Sequence, residues 1–130
     1  MMGEERPRIL VVDDEERIRR GLRAWLEDED FEVATAESGE KALDILMSDP
    51  MDVAIVDIRL PGMDGDAFME QAHRLCPRMK FIVYTGSVEY SPLPQLRAIG
   101  VSERDIFQKP LGDMAVLVAA VRDRIERRRQ

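Results

Sequence analysis

The strongest constraint on the fold is a regular alternation of short apolar runs with segments of helical periodicity. Apolar runs of strand length occur at residues 8–12, 31–36, 52–57, 80–85 and about 105–108. Between them, apolar residues recur at steps of three and four, which is the spacing of one helix face. This alternation predicts a parallel sheet covered by helices.

Apolar residues in the first two predicted helices share the spacing of a face packed on the sheet. They are Ile18, Leu22, Trp25 and Leu26 in the first helix, and Ala42, Leu43, Leu46 and Met47 in the second. Ser38 precedes the second helix and is predicted to cap it, because a serine hydroxyl accepts a hydrogen bond from the first turn. The third helix is predicted over residues 66–76.

The fourth helix is predicted over residues 91–100, with Ser91 as its cap and Gly100 at its end. Pro92 and Pro94 would fall in its first turn, where N–H groups have no helical partner. The fifth helix is expected to begin near residues 112–113. Its inward residues are predicted to be Met114, Leu117, Val118, Val121 and Ile125. Five strands and five helices indicate a flavodoxin-like, doubly wound α/β sheet of order 2-1-3-4-5.

Composition and charge exclude several kinds of ligand and environment. The formal net charge of -7 opposes binding to nucleic acid or to anionic lipid. The single cysteine, Cys76, cannot form an internal disulfide, and no cysteine and histidine cluster has zinc spacing. No apolar stretch has the length of a membrane span, and the N-terminal residues lack the apolar core of a signal peptide. We therefore predict a soluble, cytoplasmic protein of one domain.

Polar residues stand where the predicted strands end. They are Asp13 and Asp14 after the first strand, Asp57 after the third, Thr85 after the fourth and Lys109 after the fifth. In a doubly wound sheet these ends border one crevice beside the switch in strand order. Carboxylates so close together require a cation, and hard oxygen ligands favour Mg²⁺. Lys109 adds a compact positive charge beside them.

The order and spacing of these residues, with the string DIRLPGMDG at 57–65, resemble the receiver domain of two-component response regulators, as in chemotaxis regulators. The resemblance covers about residues 8–126, with 1–7 as an N-terminal tail and 127–130 as a C-terminal tail or the start of a linker. It implies that Asp57 is the phosphoacceptor. It also implies a Mg²⁺ site formed by Asp13, Asp14, Asp57 and the main-chain carbonyl of Arg59.

The resemblance assigns further roles around the phosphoacceptor. Thr85 would hold a phosphoryl oxygen and act as a switch residue, and Lys109 would pair with the acceptor carboxylate or its phosphoryl group. The Lys109–Pro110 peptide bond is expected to be cis. Arg59 and Ser87 occupy positions whose side chains modulate the lifetime of the phosphoryl group.

The chain departs from the resemblance in the segment before the fifth strand. Thr85 and Lys109 are separated by 23 residues, more than is usual in the family, and the excess falls within 100–108. The second switch position holds Ile106 in place of the aromatic residue that many receivers carry. Phe107 is expected to face the opposite side of the sheet, because side chains alternate along a strand.

The implied function is that of a signalling switch, not of an enzyme acting on other molecules. The domain would take a phosphoryl group from a phosphohistidine onto Asp57, change its interaction surface and then dephosphorylate itself. Its donor would be a sensor histidine kinase or a histidine phosphotransfer protein, with Ile18, Arg19 and Leu22 as candidate contacts. An output domain in a longer chain, or a homodimer through helix 4, strand 5 and helix 5, is possible, without direct nucleic-acid or membrane binding.

Two other functions found on a similar sheet do not fit the residues at the strand ends. A haloacid-dehalogenase-like phosphatase requires an aspartate where Arg59 stands, and a flavodoxin requires a phosphate-binding loop where DDEER follows the first strand. A degenerate receiver, which binds a partner without phosphorylation, remains an open alternative. His73 is expected to be a solvated helix residue and not a phosphocarrier.

Overall fold

The strands pair in parallel to form one sheet, in the predicted order β2-β1-β3-β4-β5. The computed structural model describes residues 6–128 of the chain. The strands are β1 (Arg8–Val12), β2 (Glu32–Ala36), β3 (Val53–Val56), β4 (Lys80–Thr85) and β5 (Ile106–Gln108). Val12 lies opposite both Ala36 and Val56, so the carboxyl ends of the first three strands are level. The predicted flavodoxin-like fold is confirmed.

Helices cover both faces of the sheet. They are α1 (Glu16–Asp28), α2 (Gly39–Ser48), α3 (Gly65–Leu75), α4 (Pro94–Ala98) and α5 (Ala115–Arg128), and a 3-10 turn, Glu103–Asp105, precedes β5. One apolar core joins the sheet to α2, α3 and α4, and a second joins it to α1 and α5. The three central strands, β1, β3 and β4, lie between these cores and are buried on both faces, which explains their continuous apolar runs.

The predicted helix faces were wrong at two residues. In α1, Leu22 and Leu26 are buried, but Trp25 is 44% exposed. In α2, Ala42 and Leu46 are buried, whereas Met47 is 74% exposed. Adjacent helical residues point about 100° apart, so a residue next to the buried stripe turns toward solvent when the contact with the sheet is narrow.

The fourth helix is shorter than predicted, and its predicted cap was wrong. It begins at Pro94 after Leu93, and Pro92 lies outside it. The Ser91 hydroxyl instead accepts a hydrogen bond from Arg97 Nη2 at 2.9 Å. A residue before proline avoids the helical conformation, so Leu93 is extended and the helix cannot start earlier. Gly100, with a φ of 104°, follows the last turn as predicted.

The remaining helix ends lie close to their predicted positions. Ser38 caps α2 by accepting a hydrogen bond from Lys41 N at 3.2 Å. Asp113 Oδ1 accepts one from Ala115 N at 2.9 Å, where α5 begins. Residues 1–5 and 129–130, within the predicted tails, lie outside the described residues. Within residues 6–128, no helix combines the length and the apolar character needed to cross a membrane.

Candidate functional site

The carboxyl ends of the strands surround an open cleft of about 450 Å³. Its lining residues are Asp14, Glu15, Asp57, Arg59, Thr85, Gly86, Ser87, Val88 and Lys109. Of the residues predicted from the strand ends, Asp57 and Thr85 are buried and Asp14 is exposed. The sheet topology thus brings together side chains that are far apart in the sequence.

Lys109 connects the buried carboxylates at the base of the cleft. Its Nζ lies 2.8 Å from Asp13 Oδ2 and 2.9 Å from Asp57 Oδ2, and Glu15 Oε1 is 3.6 Å away. Burial acts to lower the pKa of Lys109, but the hydrogen bonds to Asp13 and Asp57 outweigh burial, so the pKa is raised. The ammonium group therefore remains charged and is shared between the two aspartates.

The backbone around Lys109 fixes the direction of its side chain. Lys109 N donates to the Thr85 carbonyl at 2.9 Å, which sets the end of β5 against the end of β4. The Lys109–Pro110 peptide bond is cis, as predicted. From the end of β5, the Lys109 side chain reaches the carboxylate of Asp57, which directly follows β3.

Asp13 is the most enclosed carboxylate of the site, with 2% of the residue exposed. Burial raises its pKa, and the hydrogen bond from Lys109 opposes that effect. Asp13 Oδ1 accepts a hydrogen bond from Glu15 N at 2.9 Å, and its main-chain carbonyl accepts one from Arg19 Nη1 at 2.8 Å. These contacts turn the chain so that residues 14 and 15 border the cleft.

Four carboxylates are close enough to share one metal ion. The acidic cluster consists of Asp13, Asp14, Glu15 and Asp57, each offering one oxygen, and these oxygens lie within 4.8 Å of one another. Lys109 supplies one positive charge against four negative ones. The excess charge and the hard oxygen donors fit a divalent cation such as Mg²⁺. Glu15 was not predicted as a member, although its position directly after the aspartate pair was a usable signal.

Thr85 and Ser87 border the cleft on the side of β4. The Thr85 hydroxyl accepts a hydrogen bond from Ser87 N at 3.2 Å. A hydroxyl that accepts still has its hydrogen to donate. The Ser87 carbonyl accepts a hydrogen bond from Gln108 Nε2 at 3.0 Å, so the segment after β4 is attached to β5.

The string that follows Asp57 allows α3 to start directly against the strand. Gly62 has a φ of 71°, which a glycine adopts without strain in the turn after Pro61. A Cβ on Gly65 would lie 2.5 Å from the Asp57 carbonyl oxygen and 2.7 Å from Ile58 Cα. Only glycine permits this approach, and Asp64 caps the helix by accepting from Ala67 N at 2.8 Å.

Several predicted residues lie outside the cleft. Ile106 packs against the core on the side of α3 and α4, and Phe107 against the core of α1 and α5, so the predicted alternation is confirmed. Leu22 is only 3% exposed, which agrees with its predicted inward position and leaves little of it available as a candidate kinase contact. His73 is half-buried on α3, less solvated than expected.

Comparison with known proteins agrees with the site. Residues 9–122 match the family model for the response regulator receiver domain. The hydrogenase transcriptional regulatory protein HoxA of Cupriavidus necator is 34% identical over 107 residues, which cover 82% of this chain and 21% of HoxA. The response regulator GtcR of Aneurinibacillus migulanus is 29% identical over 119 residues, which cover 92% of this chain and 48% of GtcR.

A solved structure gives the same result. The CheY-like response regulator receiver domain protein of Methanospirillum hungatei JF-1 is 28% identical, with a TM-score of 0.83 and coverage of 96% of this chain and 98% of that one. By contrast, the chain spans about a fifth of HoxA and about half of GtcR. The chain belongs to the response regulator receiver domain family, whose members are phosphoacceptors of two-component signal transduction.

Proposed function

We propose that this domain accepts a phosphoryl group on Asp57 from a phosphohistidine, in a reaction that requires Mg²⁺. The observation that carries the proposal is the bridge from Lys109 to Asp13 and Asp57 inside the acidic cluster. Such an arrangement supplies a nucleophilic carboxylate, a fixed cation and ligands for a second cation within one cleft. Capping or solubility would not require these groups to converge.

The reaction transfers phosphorus from nitrogen to oxygen. An Asp57 carboxylate oxygen attacks the phosphorus, the bond to the histidine nitrogen breaks, and its electron pair remains on the imidazole. The transition state is loose, so the protein mainly positions the group and neutralises its oxygens. Lys109 and the Thr85 hydroxyl would serve these oxygens, and Mg²⁺ would supply further positive charge when bound.

The metal would be held on the acidic side of the cleft. Asp13, Asp14 and Asp57 are the proposed side-chain ligands, with the main-chain carbonyl of Arg59 as another. Arg59 N donates to Asp57 Oδ1 at 3.3 Å, which keeps this residue beside the acceptor. Hydrolysis of the acyl phosphate needs a water from the open side, where Arg59 and Ser87 line the cleft and would modulate its access.

The proposed switch begins at Thr85 and the segment that follows it. Ile106 has no hydroxyl and no aromatic ring, so an aromatic rotation at this position is absent. We propose residues 8–126 as the receiver unit and a histidine kinase or histidine phosphotransfer protein as the donor. An output domain or a homodimer through α4, β5 and α5 would transmit the signal, and a cytoplasmic location stays a prediction.

Acetyl phosphate, a small phosphoryl donor, tests the chemistry without the kinase. With Mg²⁺ present, the intact mass should increase by one phosphoryl group, and Asp57→Asn should prevent this. Chelation by EDTA should abolish the gain as well. An unchanged yield in the variant or in EDTA would refute the assignment, and a wild-type protein that is never phosphorylated would favour a degenerate receiver.

A further inference from the structure

The segment after β4 has a second attachment, on the side of α3. The Tyr90 hydroxyl donates a hydrogen bond to Asp66 Oδ1 at 2.6 Å. This distance is typical of a charge-assisted bond from a hydroxyl to a carboxylate. Both residues are half-buried, and burial raises the pKa of Tyr90 and of Asp66. The phenol therefore keeps its proton and remains the donor.

Asp66 has a fixed position relative to the phosphoacceptor. It lies in the first turn of α3, next to Gly65, whose N–H donates to the Ile58 carbonyl at 2.9 Å. The close approach of Gly65 to the Asp57 carbonyl leaves no room for this turn to move toward the strand. A residue bonded to Asp66 is thus held with reference to Asp57 itself.

Contacts at both ends of the segment connect it to Thr85 and to α3 beside the cleft. At one end, Ser87 N donates to the Thr85 hydroxyl, and at the other, Tyr90 reaches Asp66. These contacts link Thr85 through Ser87, Tyr90 and α3 to Asp57. The Tyr90–Asp66 bond is a side-chain pair in this link, and its loss would remove the connection to α3 while the contacts of Ser87 and those of Arg97 with Ser91 and Pro92 remain.

We propose that Tyr90 and Asp66 are a positioning pair for phosphoryl transfer. Their hydrogen bond holds residues 86–90 so that the Thr85 hydroxyl keeps its hydrogen directed at an oxygen of the incoming phosphoryl group. This inference rests on the proposed function. Tyr90 also packs an aromatic ring against the same apolar core as Ile106, which has no ring.

Loss of the Tyr90–Asp66 hydrogen bond should lower the affinity of the site for a phosphoryl group. Without it, the segment samples more conformations, and these must be ordered when the phosphoryl oxygens bind. We expect about a tenfold loss in affinity for beryllofluoride, which mimics the phosphoryl group, because a bond to a charged group at a half-buried position contributes on that scale.

The test compares beryllofluoride affinity, measured by calorimetry with saturating Mg²⁺, across matched variants of the full chain. Tyr90→Phe and Asp66→Ala should each bind about tenfold more weakly, and the double variant no more weakly than either one. Asp66→Asn should bind more tightly than Asp66→Ala and nearly as tightly as the wild type, because an amide oxygen still accepts from the phenol. Ser38→Ala, which removes one capping bond outside the cleft, should bind as the wild type does.

A spectroscopic measurement separates positioning from general loss of stability. Amide hydrogen exchange at residues 86–90 should accelerate in Tyr90→Phe and stay unchanged in Ser38→Ala. Three results would overturn the positioning pair and leave the proposed function intact. They are wild-type affinity in Tyr90→Phe, additive losses in the double variant, and an equal loss in Ser38→Ala. If the wild type neither binds beryllofluoride nor reacts with acetyl phosphate, the proposed function and the positioning pair both fall.

Discussion

Replacement of Arg124 should show how strongly the segment before β5 is fixed to α5. Arg124 and Asp105 form an ion pair in which each side chain is 8% exposed, and the Nη2–Oδ1 distance is 2.6 Å. Arg124 Nε also donates to Asp105 Oδ1 at 2.7 Å, and Nη2 donates to the Arg104 carbonyl at 3.0 Å. We predict that Arg124→Met strongly lowers the free energy of unfolding.

The expected magnitude follows from what Asp105 retains in the variant. Removal of one partner from a buried pair costs about 3–5 kcal/mol, since the remaining charge is neither solvated nor paired. Asp105 Oδ2 keeps the hydrogen bond from Ser102 N at 2.9 Å. Because that hydrogen bond still stabilises the carboxylate, the expected loss in the free energy of unfolding is at the low end of this range, about 3 kcal/mol. This corresponds to roughly 10 °C in the thermal midpoint.

Thermal and urea unfolding measure the effect against a matched control. Arg127 pairs with Asp123 at 3.1 Å on the exposed side of α5, so Arg127→Met should change stability by no more than about 0.5 kcal/mol. Asp105→Asn combined with Arg124→Met should recover part of the loss, because no charge is then left buried. A loss for Arg124→Met no larger than that of Arg127→Met would refute the reasoning.

Three further predictions concern the cleft and its surroundings. Millimolar Mg²⁺ should raise the thermal midpoint, because it neutralises carboxylates that lie together only in the folded state, and a flat response would count against the site. Gly65→Ala should slow phosphorylation by acetyl phosphate, because the added Cβ would meet the Asp57 carbonyl at 2.5 Å, whereas Gly21→Ala, with open space around it, should leave the rate unchanged. The hydrogen bond from Arg97 lowers the pKa of Glu103 to about 2, so this group should stabilise the fold above pH 4.5 and lose that contribution as the pH falls toward 2. A carboxyl titration by NMR that gave an ordinary pKa for Glu103, or the same value in Arg97→Met, would contradict that pairing.

The main features of the fold followed from local sequence because they depend on local rules. The strands were predictable since a strand buried on both faces has to be apolar throughout. The site was predictable since parallel strands place their carboxyl ends on one edge, where Asp57, Thr85 and Lys109 stand. Neither inference required knowledge of how a loop runs.

The errors arose where the outcome depended on packing or on the path of a loop. Periodicity does not distinguish the edge of a buried stripe from its centre, so Trp25 was assigned to the core although it is exposed. Ser91 resembles a cap, but Pro92 and Pro94 force an extended chain beside it. Tyr90 and Asp66 are 24 residues apart, and no local pattern indicates that they meet.

The contacts of residues 100–108, the longer segment before β5, limit where a conformational change can spread. Arg97 on α4 pairs with Glu103 in the 3-10 turn, and Arg124 on α5 pairs with Asp105 in the same turn, so this turn is held from both sides. A switch needs contacts that differ between its two states. In the proposed reaction Thr85 would contact the phosphoryl group, and its hydroxyl accepts a hydrogen bond from the segment after β4. We therefore expect phosphorylation to rearrange the segment after β4, while the 3-10 turn, which is held between α4 and α5, stays in place.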